Sequence, residues 1–313
     1  MALCPAVARS CDSIVLLGRG ALSRDVTRHL AAQAGDRRIV TVSTVLPVAP
    51  GEHAIDPLAS GASRLLADVL IEARPSMVAL LCLSESPQTP ERPWLHDRAI
   101  TDMVVSAAGR AAEAGVKIGA LLALSSTAVY GVASKSPLLF HEQSACTATP
   151  SPSPCQRWAD GLRASEQALL ALRVAHRIRV CILRAAAPLG GPIDSTLEAL
   201  LRASFPVRVL GYDPPVQSLA YEDLVQAVVL AIGQRSDEIL NVVGRSIVPL
   251  SRLLALAGVF APALPGAVAD RVAPAALDGA RLRWRTIADG RRAMQVLGFR
   301  PEHGLEESLR ARR

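Results

Sequence analysis

Apolar runs alternate with stretches of helical spacing along most of the chain. Ser13-Ile14-Val15-Leu16-Leu17 is a short, fully apolar strand pattern, and the amphipathic stretch Val26 to Ala34 follows it. Arg37 to Ser43 reads as a second strand. Leu65, Leu66, Val69 and Leu70 stand at helical spacing within Arg64 to Arg74, and Met77 to Leu83 is the next buried strand. A helix over Ala99 to Val116 leads to the apolar strand that begins Leu122-Ala123-Leu124, and a helix from Gln156 to Arg173 leads to the strand Ile178 to Arg184. Beyond it Thr196 to Ser204 reads as helix and Val207 to Gly211 as strand. Asp223, in Tyr221-Glu222-Asp223-Leu224, reads as a helix cap. Gln88 to Trp94 and Thr149 to Pro154 are Pro-rich and read as loops.

Strands this apolar are buried on both faces, and their alternation with helices predicts a parallel sheet. The predicted fold is α/β, a doubly wound sheet of about seven strands with a smaller C-terminal lobe. Residues 10–185 plus 216–244 are assigned to the sheet domain, and 186–215 plus 245–313 to the lobe. In such a sheet ligands lie beyond the carboxyl ends of the strands, which directs attention to the residues just past each apolar run.

Two such places carry chemistry. Gly18-Arg19-Gly20-Ala21-Leu22-Ser23 joins the first strand to its helix, an arrangement that offers free backbone N–H groups and a positive helix end to a pyrophosphate. Ser125-Ser126-Thr127-Ala128-Val129-Tyr130-Gly131 runs from a buried strand into a hydroxyl-rich turn. The second stretch resembles the active-site strand of the extended short-chain dehydrogenase/reductases, in the NAD-dependent epimerase/dehydratase branch. The resemblance extends through Leu183-Arg184 and Gly191-Pro192 to Leu297-Gly298-Phe299-Arg300-Pro301 and covers nearly the whole chain.

The resemblance implies a Rossmann domain holding a nicotinamide dinucleotide. Of the pattern G-x-x-G-x-x-G only Gly20 stands, with Leu17 at the first position and Ser23 at the third. Gly18, Arg19, Gly20, Ala21 and Leu22 would line the pyrophosphate, Leu83 and Ser84 the next strand end, and the backbone of Ala186 and Ala187 the nicotinamide amide. Where an NAD enzyme carries an acid for the ribose, this chain has Ser43, and Arg19 can pair with a 2′-phosphate, so NADPH is the expected cofactor. Arg19 also reads as a solvated turn residue. Asp56 falls where the family contacts adenine, and equally reads as a turn starter before Pro57.

Ser126, four residues before Tyr130, corresponds to the family's substrate-oxygen ligand. The family's Tyr-x-x-x-Lys pair is absent. With Glu166 as the anchor, the Tyr position holds Trp158 and the Lys position Leu162, and Ile100 replaces an Asn that orders a relay water. Indole donates a hydrogen bond but is no acid near neutral pH, and leucine carries no charge. Thr127 and Ala128 take the place of the Asp-Glu of sugar dehydratases, so dehydration and epimerisation are disfavoured. Ile100, Thr127, Trp158 and Leu162 are expected to line a site for a flat aromatic ketone.

Composition narrows the partners. The chain is 50% hydrophobic and only 3% aromatic, with a net charge of +6 spread over scattered arginines, which fits a globular protein and disfavours nucleic-acid binding. Six cysteines without a C-x-x-C pair read as reduced thiols, and six histidines without metal spacing point to no metal. No leader or membrane-spanning run is evident, so a cytoplasmic location is expected, and a homodimer is compatible with the chain. Two functions follow: an NADPH-dependent ketoreductase of an aromatic, angucyclinone-like polyketide in antibiotic biosynthesis, its proton supplied by substrate or water, or a non-catalytic NADP(H)-binding sensor or scaffold.

Overall fold

The computed structural model describes residues 12–18, 20–33, 37–44, 53–81, 93–131, 137–146, 154–193, 195–272, 282–283 and 286–311. Seven strands, β1 (Asp12–Gly18), β2 (Arg37–Ser43), β3 (His53–Ala54), β4 (Met77–Leu80), β5 (Ala120–Ser126), β6 (Arg179–Ala185) and β10 (Ile239–Val242), form one parallel sheet. Their order is β10-β6-β5-β4-β1-β2-β3, so the direction of winding reverses at β1. Such a reversal opens a crevice at the carboxyl ends of the strands.

The apolar runs become strands because both faces are covered. Ile14 to Leu17 and Met77 to Leu80 are buried throughout. Helices α2 (Ala62–Ala73), α3 (Pro93–Glu113) and α4 (Pro154–His176) pack side by side, while α1 (Ala21–Ala32) packs with α6 (Tyr221–Gln234). Leu22, Val26 and Leu30 repeat every four residues and form the buried stripe of α1. The Pro-rich stretch expected to be loop as far as Trp94 gives way to α3 at Pro93, since proline is tolerated in the first turn, where its missing N–H costs nothing.

The lobe has its own core. Strands β7 (Ala187–Leu189), β9 (Pro215–Ala220) and β11 (Ile247–Pro249) form a three-stranded sheet, and β8 (Arg208–Val209) pairs with β12 (Ala263–Leu264). Leucines of α5 (Thr196–Arg202), α7 (Leu250–Leu256) and α10 (Leu305–Ala311) pack together with Ala269 of α8 (Gly266–Val272). Two segments depart from the expected division. β9, expected in the sheet domain from residue 216, pairs with β7 and β11 instead. Conversely, α9 (Arg291–Leu297), expected in the lobe, buries Ala293 and Leu297 in the main core.

Asp223 is also not the helix cap expected of it. The N-cap of α6 is Ala220, and the buried Asp223 carboxylate accepts the backbone N–H groups of Glu302 (3.0 Å) and His303 (3.2 Å), fastening the C-terminal segment. Among the described residues no helix is long and apolar enough to cross a membrane.

Candidate active site

At the switch point, β1 ends at Gly18 and α1 begins after Gly20, whose φ of 75° only glycine adopts readily. The two flank a close contact. A Cβ on Gly18 would fall 2.6 Å from Cβ of Ser23, so the glycine supplies the clearance that the third glycine of the family pattern would give. Ser23 therefore fits where the pattern predicts glycine, and α1 still reaches the strand. No side chain caps the α1 N-terminus.

Two buried hydroxyls border this turn without a hydrogen-bond partner, Ser23 Oγ on α1 and Thr44 Oγ1 immediately after β2. Open backbone at Gly20, an uncapped helix start and orphaned hydroxyls fit a dinucleotide. Gly18, Gly20, Ala21 and Leu22 would hold it through their backbone, since the Leu22 side chain belongs to the core. Ser43 closes β2 opposite Gly18, and its carbonyl accepts Ile55 N–H. Asp56 is exposed and accepts Leu58 N–H at 2.9 Å, the geometry of a turn starter. Ala186 donates its N–H to the Val242 carbonyl at 2.9 Å, and Ala187 opens β7 beside Ser218. Arg19, Leu83 and Ser84 lie outside the described residues.

At the end of β5, successive side chains point to opposite faces. Ser125 donates to Glu166 Oε1 of α4 at 2.6 Å, and Glu166 grips Arg184 of β6 through Nε and Nη2, the latter at 2.6 Å. Both members of the pair are buried. Burial works against the charged guanidinium, but the Glu166 carboxylate outweighs it and raises the Arg184 pKa above its ordinary value. Arg184 also donates to the Glu142 carbonyl and lies over the Tyr130 ring. Tyr130 donates to Asn241 of β10 at 2.7 Å and stacks on Phe140, so the turn after β5 is tied to three strands.

Ser126 is half-buried, and its Oγ accepts Ala128 N–H at 3.2 Å, capping a 3₁₀ turn over Thr127–Tyr130. Because that hydroxyl serves as an acceptor toward its own turn, its proton remains available to a ligand. The four residues expected to surround a substrate behave differently. Ile100, Trp158 and Leu162 are core residues at 0%, 1% and 1% exposure, and Thr127 is buried as well. The apolar Ile100 of α3 and Trp158 and Leu162 of α4 belong to the main core cluster.

Several polar residues nearby gave no signal in the sequence. Arg163, one residue past the Lys position, donates from Nη1 to the Val129 carbonyl at 2.7 Å and pairs with Asp160. Burial lowers its pKa. Asp97 is wholly buried one turn before Ile100, and Thr101, which donates to the Asp97 carbonyl, bridges α3 to α4 through a 3.0 Å hydrogen bond with Ser165 Oγ. A hydrophobic pattern hides such residues because a lone polar side chain on an apolar helix face reads as noise. Burial pushes the Cys146 thiol up and that of Cys181 to about 12, so both are protonated at neutral pH. Among the described residues no group of three or more His, Cys, Asp or Glu is placed to hold a metal ion.

The sequence profile of the NAD dependent epimerase/dehydratase family matches residues 18–243. No curated protein matches the chain in sequence. Among solved structures it is similar to UDP-glucose 4-epimerase from Brucella ovis in complex with NAD, at 16% identity and a TM-score of 0.72 over 96% of this chain and 97% of that one. It is also similar to dTDP-glucose 4,6-dehydratase from Bacillus anthracis in complex with NAD (13%, TM-score 0.68, 96% and 95%). RMD from Pseudomonas aeruginosa, complexed with NADPH, aligns at 20% identity with a TM-score of 0.66 over 96% of each chain. At these identities the likeness is one of fold.

Proposed function

The chain belongs to the NAD dependent epimerase/dehydratase family, and from that premise we propose that it is an NADPH-dependent ketoreductase acting on an aromatic, angucyclinone-like ketone in antibiotic biosynthesis. The observation that carries this reading is the pairing of an intact Ser126 turn with Trp158 and Leu162 at the acid/base positions, both sealed into the core. A site that keeps its substrate-oxygen ligand but lacks a protein acid suits a substrate that brings its own. Bound NADPH supplies the hydride.

Ser126 donates its hydrogen bond to the ketone oxygen and holds the carbonyl against the end of β5. The Glu166–Arg184 pair and the Tyr130–Asn241 bond keep that strand end fixed. Alignment of this kind is worth roughly 7 to 11 kcal/mol of barrier when two reactants are held in near-attack geometry. A phenol beside the ketone would pass its proton to the carbonyl oxygen as negative charge develops there. Water then returns a proton to the phenolate. Epimerisation and sugar dehydration each need a protein base at the Tyr position, which indole cannot supply.

The burial of Trp158 and Leu162 also favours a second reading, a protein that binds NADP(H) as a sensor or scaffold and catalyses nothing. Incubation with NADPH and a panel of aromatic polyketide ketones separates the two. Loss of nicotinamide absorbance with ketones that bear a neighbouring phenol is the expected result. Tight NADPH binding with no consumption across the panel supports the sensor.

A further inference from the structure

We propose that Arg163 is a positioning residue for Ser126, its guanidinium holding the turn from which the serine hydroxyl meets the ketone oxygen. This rests on the ketoreductase reading above and goes beyond it by naming the side chain that sets the geometry of that hydroxyl. Ser126 caps the 3₁₀ turn Thr127–Tyr130, and its Oγ accepts Ala128 N–H at 3.2 Å. The Ala128 carbonyl accepts Gly131 N–H at 3.0 Å and closes the turn. The next carbonyl, that of Val129, accepts Arg163 Nη1 of α4 at 2.7 Å.

The burial of Arg163 is explained by this bond and not by its ion pair. Asp160 and Arg163 are paired three residues apart on α4, and the arginine side chain is only 15% exposed. The same Asp–Arg spacing on α1, Asp25 with Arg28, leaves its arginine 74% exposed. Drawing a guanidinium out of water gives up hydration that hydrogen bonds must replace. Gln156, Asp160 and Arg163 share one face of α4, and Gln156 Nε2 donates to Asp160 Oδ1 at 3.0 Å. Asp160 in turn receives Arg163 Nη2. One nitrogen of the fork is thus held on the helix while the other reaches the turn, a division that arginine's planar group suits. The bond to Val129 is charge-assisted and stronger than a neutral one.

Other bonds hold the surroundings of the turn. Ser125 donates to Glu166 before it, Thr286 donates to the Gly131 carbonyl after it at 3.2 Å, and the Tyr130 hydroxyl reaches Asn241. The Arg163 bond is made to the backbone within the turn. Ala128 N–H orients Ser126 Oγ, and Ala128 is joined directly to Val129, so a shift of the Val129 peptide is passed to the serine hydroxyl. Misplacing a reacting group by about 1 Å can cost on the order of a hundredfold in rate.

Steady-state kinetics with NADPH and a phenol-bearing aromatic ketone, run well below the Tm of each variant, test this. Arg163→Met should lose about ten- to hundredfold in kcat, with KM for the ketone within about threefold of wild type. Arg163→Lys, which can still donate to the Val129 carbonyl, should recover most of that loss. Asp160→Asn leaves the bond to the turn in place and should keep kcat within about threefold. Wild-type kcat in Arg163→Met, a loss confined to KM, or equal losses in Arg163→Met and Asp160→Asn would overturn the assignment. Hydrogen exchange supplies a readout that needs no turnover. The Ala128 and Gly131 amides should exchange faster in Arg163→Met than in wild type or Asp160→Asn, and unchanged exchange would overturn the assignment as well. If the wild type reduces no ketone while those amides respond as expected, the ketoreductase reading is what fails, and the hold of Arg163 on the Ser126 turn stands.

Discussion

Trp158 and Leu162 stand one turn apart on α4, and each is 1% exposed. They hold the positions of the family's Tyr and Lys, yet they are built as core. Restoring the pair is therefore not a repair. An ammonium at residue 162 would lose its hydration, and the Trp158→Tyr/Leu162→Lys double variant should lose roughly 3 to 5 kcal/mol of stability by urea unfolding. Trp158→Phe removes only the indole N–H and some volume. It should keep kcat/KM within about tenfold of wild type, whereas complete loss with cofactor binding intact would give the indole a chemical role.

Glu166 and Arg184 form a buried pair whose value shows when one partner is removed. Glu166→Gln strands a guanidinium that is 5% exposed, and a loss of about 3 to 5 kcal/mol is expected in denaturant melts. Because Ser125 also donates to Glu166, the strand end that carries Ser126 should loosen as well. Hydrogen exchange at residues 125–130 should then rise.

Gly18 and Ser23 exchange the roles that the family pattern gives to glycine and its neighbour. Gly18→Ala brings a Cβ to 2.6 Å from that of Ser23 and should cost about 1 to 3 kcal/mol. Adding Ser23→Gly should restore most of the loss in thermal melts and recover dinucleotide binding. Persistence of the defect in the double variant would show that the clash lies elsewhere.

The C-terminal fastening gives stability a pH dependence. The hydrogen bond that His303 Nδ1 donates to Asp223 Oδ1 at 2.8 Å raises the His303 pKa above its unfolded value of about 6.5. A raised pKa means that the folded state binds the proton more tightly, so the stabilisation is complete below that unfolded value. It fades as pH rises through the folded pKa. The Tm difference between wild type and His303→Ala should thus be largest in mild acid and shrink toward alkaline pH. Partial exposure of the histidine keeps the effect small. A difference that grows with pH would contradict it.

Much of the fold was legible because parallel strands buried on both faces write themselves as unbroken apolar runs. Ile14 to Leu17 and Leu122 to Leu124 needed no tertiary information. The strand-turn-helix form at Gly18 to Gly20 and the turn after β5 were legible too, since turn geometry is a local property. What escaped were residues whose role is set across the fold. Asp223 looks like a cap beside its own helix but serves a chain segment some eighty positions away. Thr44 is one more polar residue after a strand until its burial is known. Trp158 and Leu162 were identified as substitutions, but their burial is known only from the packing.

The most direct measurement is the rate of NADPH oxidation at saturating concentrations of an aromatic ketone with a neighbouring free phenol, set beside the same ketone with that phenol methylated. The free phenol should be turned over and the methyl ether reduced at least about a hundredfold more slowly, the size of effect expected when a positioned acid is lost. Equal rates for the two would contradict a substrate-borne acid and leave water or a protein side chain as the proton donor, with Asp97, buried on α3 one turn before Ile100, the first side chain to replace.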